Sequence, residues 1–205
     1  MNYPPGAPER QPLLIVISGP SGVGKDSVVR RMQERGLPFH FVVTATSRPQ
    51  REGEVQGQDY FFVTRQEFER MIADGELLEH ALVYNEHKGI PKIHVREALA
   101  SGQDVVLRID VQGAETVRRL CPEALLIFLS TTSDEELVER LRGRRTETPE
   151  GLALRIATAR QELAHLGTFD YLVFNPTGRL DEAVDAIVAT IEAEHHRVHP
   201  RRVTL

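Results

Sequence analysis

Short apolar runs closed by turn signals alternate along the chain with stretches whose apolar residues recur every three or four positions. Leu13-Leu14-Ile15-Val16-Ile17-Ser18, Asp104-Val105-Val106-Leu107-Arg108-Ile109, Ala124-Leu125-Leu126-Ile127-Phe128-Leu129 and Tyr171-Leu172-Val173-Phe174 predict strands. Such near-continuous apolar runs belong to strands covered on both faces. Between them, Leu152, Ile156, Ala159, Leu163 and Leu166 share one helical face over 151–166, and Leu180, Val184, Ile187, Val188 and Ile191 do the same in the last helix. Strand and helix in alternation predict an α/β chain with a parallel sheet and helices on both sides.

The stretch 39–93 breaks that rhythm. Phe39–Thr44 and Tyr60–Val63 read as strands joined by a polar, glycine-bearing connection, 65–74 as a helix, and 76–83 as an alternating strand. The pattern predicts a small α+β lobe over 39–93, inserted into a core of 13–38 and 94–195. A polar stretch at about 142–150, between two helical patterns, is a candidate lid. Residues 1–12 read as a Pro-rich disordered arm, and 196–205 as a solvated tail.

Composition narrows the class. With 205 residues, 40% apolar and 27% charged, the chain can bury one sizeable core. No apolar run approaches the roughly 18 residues of a membrane span. A net charge of −5 argues against a generic nucleic-acid binder, which needs cations to neutralise phosphates. One cysteine, Cys121, forms no internal disulfide and offers no metal-site spacing. His195, His196 and His199 fall in the polar tail and are expected to be solvated. The setting expected from these features is cytoplasmic, with no membrane and no nucleic-acid partner, as a monomer or homodimer.

The chemistry starts directly after the first strand, at Gly19-Pro20-Ser21-Gly22-Val23-Gly24-Lys25-Asp26-Ser27. Glycines let successive backbone N–H groups converge on phosphate without Cβ clashes, and the following helix adds its N-terminal dipole. Lys25 supplies a point charge for the β and γ phosphates. The position after the lysine, where a Ser or Thr hydroxyl commonly ligates Mg²⁺, is Asp26, and the hydroxyl comes one residue later at Ser27. Ser27 is therefore the candidate metal ligand, while Asp26 can either cap the helix or favour the metal electrostatically.

A second anion site is legible in the inserted lobe, where Arg48 and Arg51, three apart, precede a glycine-assisted turn and Tyr60. A planar guanidinium suits phosphate oxygens, and a phenol adds a neutral donor. The P-loop, the run Ser47-Arg48-Pro49-x-Arg51-x-Gly53-Glu54-Val55-x-Gly57-x-Asp59-Tyr60, Leu78-Glu79, Ile109-Asp110-Val111-Gln112-Gly113, Arg140–Arg144, Phe169-Asp170-Tyr171 and Asn175 together resemble the guanylate kinase family over nearly the whole chain. The resemblance implies a P-loop nucleoside monophosphate kinase fold with a GMP-binding lobe and a lid. It also implies transfer of the γ-phosphoryl of ATP to GMP or dGMP, with Mg²⁺. Carried over by position, Arg48, Arg51 and Tyr60 match the ligands of the GMP phosphate, and Thr44 and Glu79 match the positions that read guanine. Asp110 matches a nucleotide-side acidic position. Arg140, Arg144 and Arg155 match lid-region arginines on the transferring phosphates, and Asn175 matches a residue near the adenine. An ionised Glu79 carboxylate suits guanine, which offers adjacent N1–H and N2–H₂ donors where adenine does not.

The chain departs from the family's common pattern in two further places. Asn85-Glu86-His87-Lys88-Gly89-Ile90-Pro91-Lys92 replaces a phosphate-binding tyrosine with Lys88 and a small hydroxyl residue with Ile90. Arg108 stands where an acidic residue is common. These features resemble the organellar-type branch and bacterial relatives, and because no transit-peptide-like extension is evident, a bacterial cytoplasm is expected. Two rivals remain at this stage: a kinase of phosphorylated ribose, which shares a Gly-Lys-Asp-Ser start, and a non-catalytic guanylate-kinase-like module that binds phosphopeptides.

Overall fold

The computed structural model describes residues 10–83, 86–143 and 149–205. In chain order, β1 (Leu14–Ser18) runs through the glycine turn into α1 (Lys25–Glu34), followed by β2 (Phe39–Phe41), β3 (Ala45–Thr46), β4 (Phe61–Phe62), α2 (Arg65–Ala73), β5 (Leu77–Val83) and β6 (Glu86–Pro91). Then come α3 (Lys92–Ala100), β7 (Asp104–Arg108), α4 (Val111–Leu120), β8 (Leu125–Ser130), α5 (Asp134–Arg142) and α6 (Pro149–Leu163). A 3₁₀ turn (Leu166–Thr168), β9 (Tyr171–Phe174) and α7 (Leu180–His195) complete the order.

Five strands form an all-parallel sheet in the order β2-β7-β1-β8-β9. The two-residue period of β1 divides its side chains between two cores. Ile15 and Ile17 pack with Met32 of α1 and Val184, Ile187 and Ile191 of α7, while Leu14 and Val16 pack with Val95 of α3 and Val117 of α4. Helices on both faces are why the strand is apolar at every position. The predicted sheet and its flanking helices are observed, except that β9 is an edge strand with Tyr171, Leu172 and Phe174 exposed, and the helix expected over 151–166 ends at Leu163 and leaves Leu163 and Leu166 exposed.

A second sheet, in the order β4-β3-β6-β5, forms the lobe around Phe68 of α2, Leu77 and Ala45. Its boundary differs from the expected 39–93. Phe39 and Phe41 belong to the core sheet, in register with Asp104 and Val106 of β7, because both phenylalanines lie against the α1–α7 core. The segment carrying Lys88 and Ile90 is a strand, paired with β5 and β3. Gly89 permits that pairing: a Cβ there would stand 2.9 Å from the Glu79 carbonyl oxygen and 3.0 Å from the Phe68 ring.

The tail corrects a further expectation. The His195 side chain is only 5% exposed, with Nε2 2.8 Å from Asp104 Oδ2. Arg201 Nε lies 2.6 Å from Oε2 of the buried Glu194 and its Nη1 donates to the Ala124 carbonyl, while Val203 and Leu205 pack on the α3–α4 core. Two buried carboxylates, Asp104 and Glu194, require partners, and the chain end supplies them. His196 and His199 are exposed, as expected. Of the predicted N-terminal arm, residues 1–9 lie outside the described residues, and Arg10 reaches Asp104 at 3.1 Å. Within the candidate lid, 144–148 lie outside them too. Among the described residues no helix is long and apolar enough to cross a membrane.

Candidate active site

All five core strands end at one edge, the edge outside which open parallel sheets bind their ligands. β1 delivers the glycine turn there. Gly19 packs so closely on β8 that a Cβ would overlap the Leu129 carbonyl oxygen. Gly24 caps α1 in the left-handed region at φ 94°. Lys25, the first residue of α1, folds its ammonium back onto the carbonyls of Gly19 and Pro20, the latter at 3.0 Å. Burial holds that ammonium below its ordinary pKa, against the pull of Glu162, Asp26 and Asp110. A phosphate arriving at the turn would replace two weak carbonyl partners with a charged one.

Asp26 does not cap α1, since the cap is Gly24 with no side-chain bond. Its carboxylate instead lies 2.9 Å from Arg108 Nη1 at the end of β7. Ser27 is exposed on the first turn of α1. Asn175 is buried, donating to the Val23 carbonyl at 2.9 Å and thereby bracing the loop. Arg140 reaches the same carbonyl at 3.2 Å, the Asn175 carbonyl at 2.6 Å and Glu136 at 2.7 Å. These two predicted nucleotide contacts thus hold the P-loop's shape from behind. Burial alone would raise the Glu136 carboxyl, but side-chain and backbone hydrogen bonds from Thr132 and Thr177 outweigh it and bring its pKa to about 2. Arg155 is half-buried on α6, and Arg144 lies outside the described residues.

Cations from the lobe and from the core sheet surround one ring of the lobe. Arg48 stands 4.9 Å from the centre of the Tyr60 ring, Arg108 5.9 Å and Lys88 6.0 Å. Arg48 is 6% exposed and paired through both terminal nitrogens with Glu54. That pairing holds the Glu54 carboxyl down at about 2. Arg51 is exposed at the rim, its N–H on Glu54 Oε2 at 2.8 Å. Thr44 is buried beside β3.

Glu79, on β5, is 5% exposed and faces the start of α4. Burial, reinforced by Asp110, pushes its carboxyl up to about 8. Asp110 caps α4 by accepting the Gly113 N–H at 2.8 Å. Gly113 makes the approach possible: a Cβ on it would stand 2.8 Å from Glu79 Oε2 and 3.3 Å from Asp110 Oδ1. The motif pattern predicted Asp110 and Glu79 separately, and the fold brings them together.

Sequence reasoning missed Glu162. This α6 carboxylate acts electrostatically on Lys25 and on the Ser21 N–H in the glycine turn. Its Oε2 is buried without a hydrogen-bond partner among the described residues, and burial raises its pKa. The available signal was positional, a carboxylate three residues after the buried Ala159, at the edge of the apolar face. Arg108 registered in the sequence only as a departure, and its contacts need the sheet order to be seen.

A family model described as guanylate kinase matches residues 11–194. The protein "Guanylate kinase 2, chloroplastic/mitochondrial" of Oryza sativa subsp. japonica is 54% identical over 202 residues, covering 98% of this chain and 71% of its own length. A guanylate kinase of Nocardia farcinica is 48% identical over 185 residues, 88% of this chain and 96% of that protein. Among solved structures, guanylate kinase from Anaplasma phagocytophilum superposes with a TM-score of 0.75 at 28% identity, covering 96% of this chain and 92% of that one.

Proposed function

The chain belongs to the guanylate kinase family, and we infer that it moves the γ-phosphoryl group of ATP onto GMP, and onto dGMP, releasing ADP and GDP or dGDP. One observation carries the site assignment: the P-loop of the core and the cation-ringed Tyr60 of the lobe converge on one sheet edge, with Arg108 in contact with both sides. In that arrangement Gly19–Gly24 and Lys25 hold the donor, and Arg48, Arg51, Tyr60 and Lys88 hold the acceptor phosphate. Thr44, Glu79 and Asp110 face the guanine.

The acceptor oxygen is already ionised, so it attacks the γ-phosphorus without a general base, and the bond from that phosphorus to the β-bridging oxygen breaks. The chain's task is positioning and charge stabilisation. Lys25 leaves its two carbonyls for the donor oxygens, and Arg140 and Asn175 keep the loop in shape while it does. Arg144 and Arg155 belong to the lid side of this proposal. An ionised Glu79 accepts the guanine N1–H and N2–H; adenine would face it with an acceptor and lose that pairing.

The residues present fit a nucleotide-borne metal. Among the described residues no group of three His, Cys, Asp or Glu could hold an ion unaided, whereas the exposed Ser27 hydroxyl next to the loop can complete a shell made mostly of phosphate oxygens and water. Mg²⁺ so held would neutralise the donor's phosphate charge. The proposal includes a monomer or homodimer in the cytoplasm, where both nucleotides are available. Recovery of the protein from a membrane-bounded organelle would overturn that location.

Glu79→Ala tests the assignment. The expected result is a loss of at least roughly 100-fold in kcat/KM for GMP with the KM for ATP little changed. Parent-like kinetics for GMP would reject Glu79 as the base reader.

A further inference from the structure

Arg108 ends β7 in register with Ile17 of β1, two residues before the glycine turn begins. Its Nη1 lies 2.9 Å from Asp26 Oδ1 on α1, and its Nη2 donates to the Tyr60 hydroxyl at 3.4 Å. Through Asp26 it is joined to the helix that Lys25 opens, and its charge acts on that lysine. Among the described residues, Arg48 and Lys88 of the lobe also lie near the Tyr60 ring, whereas Arg108 comes from the core sheet. Arg48 differs in its commitments: both terminal nitrogens are on Glu54, and Nη1 also reaches the Pro49 carbonyl.

We propose that Arg108 is a ligand of the acceptor phosphate, supplied by the core and oriented by Asp26. The inference rests on the guanylate kinase assignment above. A guanidinium offers two edges. One terminal nitrogen of Arg108 is already on Asp26, and the other points to the phenol that marks the acceptor phosphate. The tether to Asp26 is solvated, with Asp26 67% exposed, and such pairs are weak enough not to compete with a dianionic phosphate. A phosphate held at once by Tyr60 from the lobe and by Arg108 from the core draws the two together. The contact also puts a positive charge between two anions that must approach for transfer.

The proposal accounts for two departures at once. An aspartate after the P-loop lysine would repel a triphosphate tail, and an arginine at 108 removes an acidic group. Paired, they leave the loop's local charge nearly neutral and turn one guanidinium toward the acceptor.

The test is calorimetric binding of GMP and of guanosine, which lacks the phosphate, to the intact chain and to Arg108→Gln and Arg108→Lys. Arg108→Gln is expected to weaken GMP by roughly tenfold or more, the effect of losing a charged hydrogen-bond partner, with guanosine binding unchanged. Arg108→Lys, which keeps the charge and loses the fork, is expected to fall between parent and Gln for GMP, and it carries the test if the Gln variant does not fold. GMP bound equally by parent and both variants overturns the role of Arg108 alone. Equal losses for GMP and guanosine overturn it too, by showing a general effect on the lobe. A parent chain that binds no GMP overturns the underlying assignment, and the inference with it.

Discussion

Gly113→Ala isolates the contact on which base reading depends. The added Cβ would stand 2.8 Å from Glu79 Oε2, 3.1 Å from its Cδ and 3.3 Å from Asp110 Oδ1. Against the 3.4 Å at which ordinary contact begins, the carboxylate must retreat by about 0.6 Å. Glu79 is 5% exposed and has little room in which to do so. Misplacement on the order of 1 Å can cost about 100-fold in rate, so kcat/KM for GMP should fall by roughly 10- to 100-fold, or ~1.4–2.7 kcal/mol. Helix propensity pulls the other way, favouring Ala over Gly by about 1 kcal/mol, so a catalytic loss without a fall in thermal midpoint identifies displacement of Glu79. The assay is steady-state kinetics with GMP varied, in the parent and in a Glu79→Ala background. In that background the effect of Gly113→Ala should vanish, because the group it displaces is gone. Normal GMP kinetics in the single variant, or full additivity in the double, would refute the steric argument.

The remaining predictions concern charge and the chain end. Glu79 has a folded-state pKa of about 8 against an ordinary 4.5, so its contribution to stability is complete below the lower value and is lost as pH rises through the higher. Thermal scans of the ligand-free protein from pH 5 to about 8.5 should show a decline that flattens in Glu79→Gln, and identical slopes would contradict it. Because guanine needs the carboxylate ionised, GMP binding at pH 7 should also release a proton, seen by calorimetry in buffers of different ionisation enthalpy. Lys25→Met should cut turnover by roughly 100-fold or more while changing GMP affinity only modestly, and parent-like turnover would remove the P-loop from the mechanism. Arg201→Ala leaves the buried Glu194, among the described residues, with Tyr171 at 2.7 Å and the more distant Arg197. It should cost on the order of 3 kcal/mol by chemical denaturation, and a loss below about 0.5 kcal/mol would show a solvated tail after all.

Much of this molecule was legible from residue order because its strongest signals are local. A two-face apolar strand followed by glycines and a lysine specifies both an element and its ligand, and β1 with α1 delivered them. The periodic face of α7 was legible for the same reason, and that of α6 as far as Leu152, Ile156 and Ala159, while Leu163 and Leu166 are exposed. What sequence could not settle was partnership. Phe39–Phe41 reads equally well as a strand of either sheet, and only its packing on the α1–α7 core decides. The strand at Glu86–Pro91 was hidden by Gly89 and Pro91, residues unfavourable in a strand interior, until the tight packing at Gly89 explains the glycine. The polar tail looked solvated because its buried partners, Asp104 and Glu194, are themselves charged. The fold sets Lys25, Asp26, Arg108 and Tyr60 near one another, but the contacts of Arg108, Gly113 and Glu162 span elements distant in sequence and carry no local signature.

The most direct measurement is nucleoside diphosphate formation by the purified chain from ATP and magnesium, with GMP, AMP, UMP and ribose phosphates offered as separate acceptors. GDP from GMP, with the other acceptors slower by orders of magnitude, is the result predicted by a donor cradle and a guanine-reading lobe that share one sheet edge. Folded protein that makes no GDP, or that phosphorylates AMP or a sugar phosphate as readily as GMP, would contradict it.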